Sequence, residues 1–563
     1  MNNVFYLLLR RLRVPFITMI VVYSISVLGF VLIPGQDDQG NVWQMDFFHA
    51  VYFVSFMGTT IGFGEIPYAF TDAQRMWTLL MIYATVVSWL YGIGSMLALL
   101  QEPVFGRLLR RRSFTREVTG IAEPFYLVCD YGVTGRVVVH KLADRDIRSV
   151  VIDMKQDRID DLEMDNLPLR VPGLCADASL PDVLNDAGLQ NPHCIGVLAL
   201  TDDDNSNLAV SIASKLLMPE RMVISRTEAE VTTANLLSFG TDLVVDPFKA
   251  YAGYLSMAIS ASYKHLVYDW LVNPYHRPLS SVYQLKKGRW IICGFGRFGR
   301  ALYHAFKADD VYITIVDAKE QNINQTEQQI WGIGTEAKTL EEAGIHEAIG
   351  IVAGTDNDAD NLSIIMTARG MKSKLVTVIR QNLDANRLVF QHSGADFVME
   401  PGRIIANQIM AQIKTPLLPV FIEALKDYDD VWAHTLLNRM SSVVNEDELD
   451  SWAFTLSEHD TPAIWMALEE GVVIQMKVFL KDPHDRSHML PAFPLMLRRG
   501  EEIKMLPGEL KELKCGDEIL FCGLSKAFTQ VEWTVNNYNV LQYVLTGKDA
   551  NTTLLSRWFN KDL

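Results

Sequence analysis

Residues 55–67 read SFMGTTIGFGEIP, with three glycines, two threonines, two phenylalanines and a single charge, Glu65. Apolar segments flank this stretch. Residues 14–33 (VPFITMIVVYSISVLGFVLI) are twenty positions without a charge, and residues 76–100 (MWTLLMIYATVVSWLYGIGSMLALL) are twenty-five. A helix rises ~1.5 Å per residue and a bilayer core is ~30 Å thick, so each segment is long enough to span it. The first lacks the short apolar run and small-residue cleavage site of a signal peptide. Residues 43–58 (WQMDFFHAVYFVSFMG) are too few to cross and predict a re-entrant helix that enters and turns back. Non-helical backbone at membrane depth persists only against protein or water. The stretch after that helix is therefore expected to face a water-filled path or a bound ion.

Charge sets the orientation. Arg10, Arg11 and Arg13 precede the first span; Arg107, Arg110, Arg111, Arg112 and Arg116 follow the second; the connection between them holds only Arg75. The positive-inside rule places both ends in the cytoplasm and residues 34–75 outside. The expected location is the cell membrane, multi-pass, with lipid as a partner. Residues 1–116 carry +3 and the remainder −19 of the formal net charge of −16, which argues against a nucleic-acid partner. The six cysteines all lie in the acidic part with no paired spacing, and read as reduced, buried thiols.

Carbonyl oxygens replace an ion's hydration shell only if successive residues aim them at one axis. That requires backbone twists of alternating hand, which glycine adopts without steric cost. Gly62 and Gly64 stand at alternate positions, and Thr60 can add a hydroxyl. Thr59-Thr60-Ile61-Gly62-Phe63-Gly64-Glu65 resembles the potassium-channel filter signature TVGYG, with Ile61, Phe63 and Glu65 as departures. Thr60 to Gly64 are the candidate K⁺ ligands. The order span, re-entrant loop, span, cytoplasmic part resembles the two-transmembrane potassium channels. One chain supplies a quarter of such a filter, so a homotetramer is implied. Gly92 and Gly94 are candidate hinges of the inner helix. Ile93, Leu97 and Leu100 share a helical face that is expected to line either an apolar gate or an ordinary helix contact.

The cytoplasmic part repeats itself. FYLVCDYGVTG at 125–135 matches RWIICGFGRFG at 289–299, and the acidic ends Asp153 and Asp317 share that offset of 164. LTDDDNSNL at 200–208 matches GTDNDADNL at 354–362, and GTDLVVDP at 240–247 matches GADFVMEP at 394–401, both at 154. Short β-branched runs alternating with amphipathic stretches imply βαβ units around a buried parallel sheet in each copy. In the second copy Gly294, Gly296 and Gly299 form G-x-G-x-x-G between a strand and a helix, with Asp317 beyond the next strand. Such glycines permit a tight turn and close approach of a pyrophosphate, the helix N-terminus attracts the anion, and the acid accepts from a ribose hydroxyl. In the first copy Asp130 replaces the first glycine, while Gly132, Gly135 and Asp153 remain. A carboxylate there would repel a pyrophosphate, so that copy either binds a dinucleotide or is a relic of the fold that only packs.

A pore with a duplicated Rossmann-like domain resembles potassium channels with RCK (regulator of K⁺ conductance) domains, two per subunit. The resemblance implies a ring of eight such domains that pulls on the inner helices when ligand binds. It implies NAD or an adenine nucleotide as regulator, with a divalent cation such as Ca²⁺ possible. By motif position the nucleotide residues are Gly294, Phe295, Gly296, Arg297, Phe298, Gly299, Asp317, Ala318, Glu336, Gly354 and Thr355, and Asp130, Gly132, Gly135, Asp153 and Asp177 are the first copy's weaker counterparts.

The fold class is a multi-domain membrane protein: an α-helical two-span pore domain with a re-entrant loop, two α/β Rossmann-like RCK domains and a small α+β C-terminal lobe. The expected boundaries are 1–101 for the pore (spans 14–33 and 76–100, pore helix and filter 43–65), 102–123 for a linker, 124–270 and 285–425 for the RCK domains, and 430–550 for the lobe. Crossover helices are expected near 248–266 and 403–414. Acidic groups at Asp202–Asp204 and at Asp356, Asp358 and Asp360 read either as calcium ligands or as helix caps, and the run around Glu446–Asp450 as solvated surface. The rival functions are a membrane-anchored, nucleotide-dependent oxidoreductase, for which no catalytic set stands out, and a non-selective cation channel.

Overall fold

The computed structural model describes residues 2–64, 66–100, 103–272, 285–319, 328–443 and 449–548. It divides into two units, Met1–Gly120 and Ile121–Leu563. Glu65 and residues 444–448 lie outside the described residues, as does the side chain of Leu100.

The first unit is built on two long helices, Asn2–Leu32 and Asp72–Leu100. Their apolar portions, Leu12–Leu32 and Asp72–Ala98, are long and apolar enough to cross a membrane. The re-entrant helix is shorter than the apolar run suggests. It covers Phe47–Gly58, because Asp46 caps it by accepting from the His49 amide at 2.9 Å, while Val42–Trp43 pair with Gly35–Gln36 as a small antiparallel hairpin. Phe30, Phe53 and Phe70 form an aromatic cluster, with Phe30 and Phe53 edge-to-face at 4.9 Å and Phe53 and Phe70 at 5.0 Å. Two glycines let the helices approach. A Cβ on Gly58 would lie 2.2 Å from the Tyr23 hydroxyl, and one on Gly29 would lie 2.1 Å from the Trp77 ring. The Tyr23 hydroxyl accepts in turn from Trp89 Nε1 at 2.7 Å.

The second unit holds two six-stranded parallel sheets. In chain order the first copy's strands are Phe125–Cys129, Arg148–Asp153, Gly173–Cys175, Cys194–Ala199, Met222–Arg226 and Leu243–Val245. The second copy's are Arg289–Cys293, Tyr312–Asp317, Gln328–Trp331, Gly350–Ala353, Val376–Arg380 and Phe397–Met399. Both sheets run 3-2-1-4-5-6, the doubly wound order that opens a crevice between strands one and four, at their carboxyl ends. The strands are buried on both faces, which explains their continuous apolar runs.

The expected crossover helix 248–266 is two helices, Pro247–Ser260 and Ser262–Val272, separated at Ala261. The second copy breaks at the equivalent Thr415, between Pro401–Lys414 and Leu417–Leu425. Pro416 accounts for that break, since the residue before a proline avoids the helical region. Ala261 has no such neighbour. There the reason is tertiary: the turn carries Leu266, Val267 and Trp270 into a core shared with Phe421, Leu436 and Leu520. The C-terminal part forms a four-stranded antiparallel sheet in the spatial order Leu449–Thr455, Glu518–Leu524, Ala492–Arg499, Glu502–Met505, so it packs against the tail helices of both copies.

Candidate functional site

The pore loop leaves the Phe47–Gly58 helix through amides that fold back onto it. Thr60 N donates to Met57 O and Ile61 N to Phe56 O, each at 3.1 Å. Left-handed φ values then fall on every second residue: 59° at Thr60, 62° at Gly62 and 74° at Gly64. Ile61 and Phe63 between them are not left-handed. This is the alternation that turns consecutive carbonyls to one side. Thr60 is the addition that composition did not announce, because a β-branched residue in the left-handed region costs about 1–2 kcal/mol. Strain of this size persists only where surrounding structure holds it. Ile61 and Phe63 are 60% and 66% exposed in the single chain.

Gly92 and Gly94 lie in an uninterrupted helix, and a Cβ on either would meet nothing within 4 Å. Within the chain, neither glycine is required for close packing. Ile93 and Leu97 are exposed.

In the second copy's glycine loop each glycine has its own role. Gly294 sits at φ +90°, where a Cβ would come within 3.0 Å of the Thr355 amide nitrogen. Gly296 caps helix Arg297–Ala308, with open space around it. A Cβ on Gly299 would lie 2.1 Å from Gly294 O, so only glycine lets this helix press on the loop. Asp317 ties the loop down, accepting from Phe295 N at 2.6 Å and from Lys319 N at 2.8 Å. Thr355 is fixed by Asn361 Oδ1, which accepts from its amide at 2.9 Å and its hydroxyl at 2.7 Å. Ala318 and Glu336 are exposed; Gly354 is buried, a Cβ there falling 2.9 Å from the Phe298 ring.

Three motif residues do other work. Phe298 is fully buried and packs 6.0 Å from both Phe248 and Tyr251, so it is core and not a ligand contact. Phe295 is also buried, against Tyr303 at 5.5 Å. Arg297 pairs with Glu228 of the first copy.

The first copy's cradle is occupied by its own side chain. Asp130 adopts the φ of +90° found at Gly294, and its Oδ2 accepts from Gly132 N at 2.7 Å. Arg158 pairs with Asp130 and bridges to Asp153 Oδ2 at 3.1 Å. Asp153 also accepts from Tyr131 N at 2.8 Å. The Asp130 carboxylate thus stands at the N-terminus of helix Val133–Ala143, where a ligand phosphate would stand. Burial pushes its pKa up to about 6, against the opposing pull of Arg158. Gly135 keeps its packing role, with a Cβ there 1.9 Å from Asp130 O. Asp177 is engaged by the amide and hydroxyl of Ser179, at 2.9 and 2.7 Å.

The acidic groups serve local structure. Asp203 caps a helix by accepting from Ser206 N at 2.9 Å, Asp202 pairs with Arg226, and Asp204 accepts from Ala229 N at 2.8 Å. Asp358 accepts from Asn382 N at 2.7 Å and Asn386 Nδ2 at 2.7 Å. Among the described residues no group of three or more such side chains is placed to hold a metal. All six cysteines are free thiols. Arg158, Arg226 and Arg380 escaped the motif reading. The signal for the last two was present, because the 154-residue offset places them at equivalent strand ends.

The ion-channel family model matches residues 16–102, and the TrkA-N domain model matches residues 126–247 and 290–401. Potassium channel protein 1 of Methanocaldococcus jannaschii is 25% identical over 205 residues, which are 36% of this chain and 59% of that protein. The voltage-gated potassium channel Kch of Escherichia coli is 25% identical over 138 residues, 23% of this chain and 32% of Kch. The chain thus spans less than two thirds of these relatives. A solved structure of the GsuK channel bound to NAD aligns with 95% of this chain and 100% of its own at 15% identity, with a TM-score of 0.45. The chain is therefore an ion-channel domain followed by a tandem pair of TrkA-N domains.

Proposed function

We propose that the chain is one subunit of a potassium-selective channel gated from the cytoplasm by a nucleotide. The reading rests on one observation: left-handed backbone at Thr60, Gly62 and Gly64 in a loop between two helices of membrane length. Four such loops, one from each subunit of a homotetramer, would ring a K⁺ ion with carbonyl oxygens in place of its water. The arginine distribution favours both termini on the cytoplasmic side. The boundaries are those expected from the sequence, the pore within 1–101 and RCK domains at 124–270 and 285–425, with the lobe at 430–550.

The second copy is the nucleotide sensor. The Gly294–Gly296 loop offers backbone donors and a helix N-terminus to a pyrophosphate, and Asp317 offers a carboxylate near the ribose, so NAD and ADP are the first ligands to try. The first copy does not bind dinucleotide, because the Asp130 carboxylate already fills the cradle and would repel a phosphate. Eight such domains from four subunits would form a ring, and a ligand preferring one ring shape would shift gating by its differential affinity. Purified protein in vesicles should take up rubidium and show a potassium reversal potential in mixed potassium and sodium. Single-channel open probability should respond to NAD or ADP on the cytoplasmic side. Absence of flux under every nucleotide and divalent cation would remove the reading.

A further inference from the structure

The short helix Phe47–Gly58 ends where it meets both long helices of the first unit. Gly58, its last residue, is buried. A Cβ there would lie 2.2 Å from the Tyr23 hydroxyl, on helix Asn2–Leu32, and 3.4 Å from Thr85 Cβ, on helix Asp72–Leu100. The hydroxyl is itself held in place. Trp89 Nε1 donates to it at 2.7 Å, and Trp89 stands one turn from Thr85 on the same helical face. Thr85 is fully buried and donates its own hydroxyl to Met81 O at 2.7 Å. The second long helix thus grips Gly58 twice, directly through Thr85 and indirectly through the tyrosine that Trp89 fixes.

The segment that follows Gly58 is strained. Thr60, two residues on, carries the left-handed φ of 59°. The first loop amides donate to carbonyls just before Gly58: Thr60 N to Met57 O and Ile61 N to Phe56 O, each at 3.1 Å, and Gly62 N to Phe56 O at 3.4 Å. Movement of the helix end therefore moves the acceptors that set the loop, and Thr60 keeps its twist only while they stay in place. A second tryptophan provides a contrast. Trp77 Nε1 donates to Ser26 O at 3.2 Å, and the Trp77 ring sits 2.1 Å from where a Cβ on Gly29 would be. That bond joins the same two long helices, but Trp77 precedes Trp89 by twelve residues, ~18 Å of helix.

We propose that Tyr23 and Trp89 are positioning residues for the filter. The tyrosine hydroxyl, pinned by the indole, is the stop that seats Gly58 and so keeps Thr60 to Gly64 in their alternating twist. The candidate hinges Gly92 and Gly94 lie three and five residues beyond Trp89 in the same helix. Bending at either glycine leaves the Trp89–Tyr23 bond on the filter's side of the hinge, so the filter keeps its shape while the gate moves. Without the bond the end of the short helix shifts, and the loop loses its preference for potassium. This inference rests on the potassium-channel reading for its consequence and on the contact at Gly58 for its mechanism.

The test is hydrogen exchange, followed by mass spectrometry, on the purified full-length protein in lipid nanodiscs. Size-exclusion chromatography checks that each variant assembles as the parent does. Tyr23→Phe and Trp89→Phe each remove the bond and keep an aromatic ring. Each should speed exchange at the amides of residues 60–62 by about threefold to tenfold, the range expected for one interhelical hydrogen bond in a membrane. The double variant should exchange no faster than either single one, because both act on one bond. Gly58→Ala should match them, since its Cβ drives the hydroxyl off the indole. Trp77→Phe removes the other interhelical bond and should leave these amides within twofold of the parent. In mixed potassium and sodium, the Tyr23, Trp89 and Gly58 variants should shift the reversal potential toward sodium, and Trp77→Phe should not. Exchange within twofold of the parent in both Tyr23→Phe and Trp89→Phe would overturn the proposal. So would an equal rise in Trp77→Phe, which would make the effect a general loosening of the helices. A parent without potassium preference would refute the channel reading instead, and the exchange pattern, read without current, would still decide whether this contact holds the loop.

Discussion

Gly294→Asp copies into the second domain what the first already possesses. The φ suits it, because Asp130 holds the same +90°, but the new Cβ would come within 3.0 Å of the Thr355 amide nitrogen, so that backbone must give by a few tenths of an ångström in addition to a cost of about 1–2 kcal/mol for a side chain in the left-handed region. By analogy with Asp130, whose Oδ2 lies 2.7 Å from Gly132 N, the introduced carboxylate would bond the amide of Gly296. It would then stand about 4 Å from any phosphate on the same helix end. Two like charges at that distance repel by about 4 kcal/mol at the effective dielectric of a protein surface. The expected loss in nucleotide affinity is therefore about three orders of magnitude, with the fold retained. Titration calorimetry of full-length parent and variant with NAD and with ADP measures it directly. Single-channel recording should show basal openings that no longer respond to the nucleotide. Affinity within threefold of the parent would refute the reasoning, because the phosphate would then lie away from the Gly294–Gly296 turn.

Gly62→Ala places a methyl group at φ +62° and should distort the loop at about 1–2 kcal/mol per chain, seen as lost potassium preference in reversal potentials. Leu97→Glu should keep an apolar constriction wet and raise basal open probability; unchanged gating would assign this face to helix contact. Gly299→Ala drives a Cβ into Gly294 O and should lower stability by about 1–3 kcal/mol, read as a fall in melting temperature together with weaker nucleotide binding. Asp130 has its folded pKa raised from 3.8 to about 6, so the folded state holds this proton more tightly than the unfolded chain does. Its contribution to stability is therefore greatest below pH ~4 and declines by up to roughly 3 kcal/mol as pH rises to ~6. Melting temperature followed across that range should lose this decline in Asp130→Asn.

Much of the architecture was legible because it obeys short-range rules. Two uncharged segments and a glycine-alternating loop define the pore, and the repeat offsets divide the cytoplasmic part into two sheets of the same order. The glycine loop was legible because the left-handed φ at Gly294 favours glycine and the helix contact at Gly299 leaves no room for a Cβ. What escaped depended on partners remote in the chain. Motif position alone could not show that Phe298 turns into the core beneath its helix while Arg297 reaches to Glu228. The break at Ala261 arises from where its second helix packs, and no residue nearby announces it. Asp130 read as a damaged glycine position. Its role needed Arg158, brought in from another helix, to become visible.

On the proposed function, the carboxylate at Asp130 would make the tandem pair a comparator: one domain held as though its effector had never left, its neighbour alone passing between empty and filled. A fourfold assembly of such pairs would register dinucleotide through half of its domains. That sets a ceiling of about four on the steepness of the dose–response curve. The fixed half would then supply a constant reference against which each variable half works, and duplication would become division of labour between a ruler and a needle.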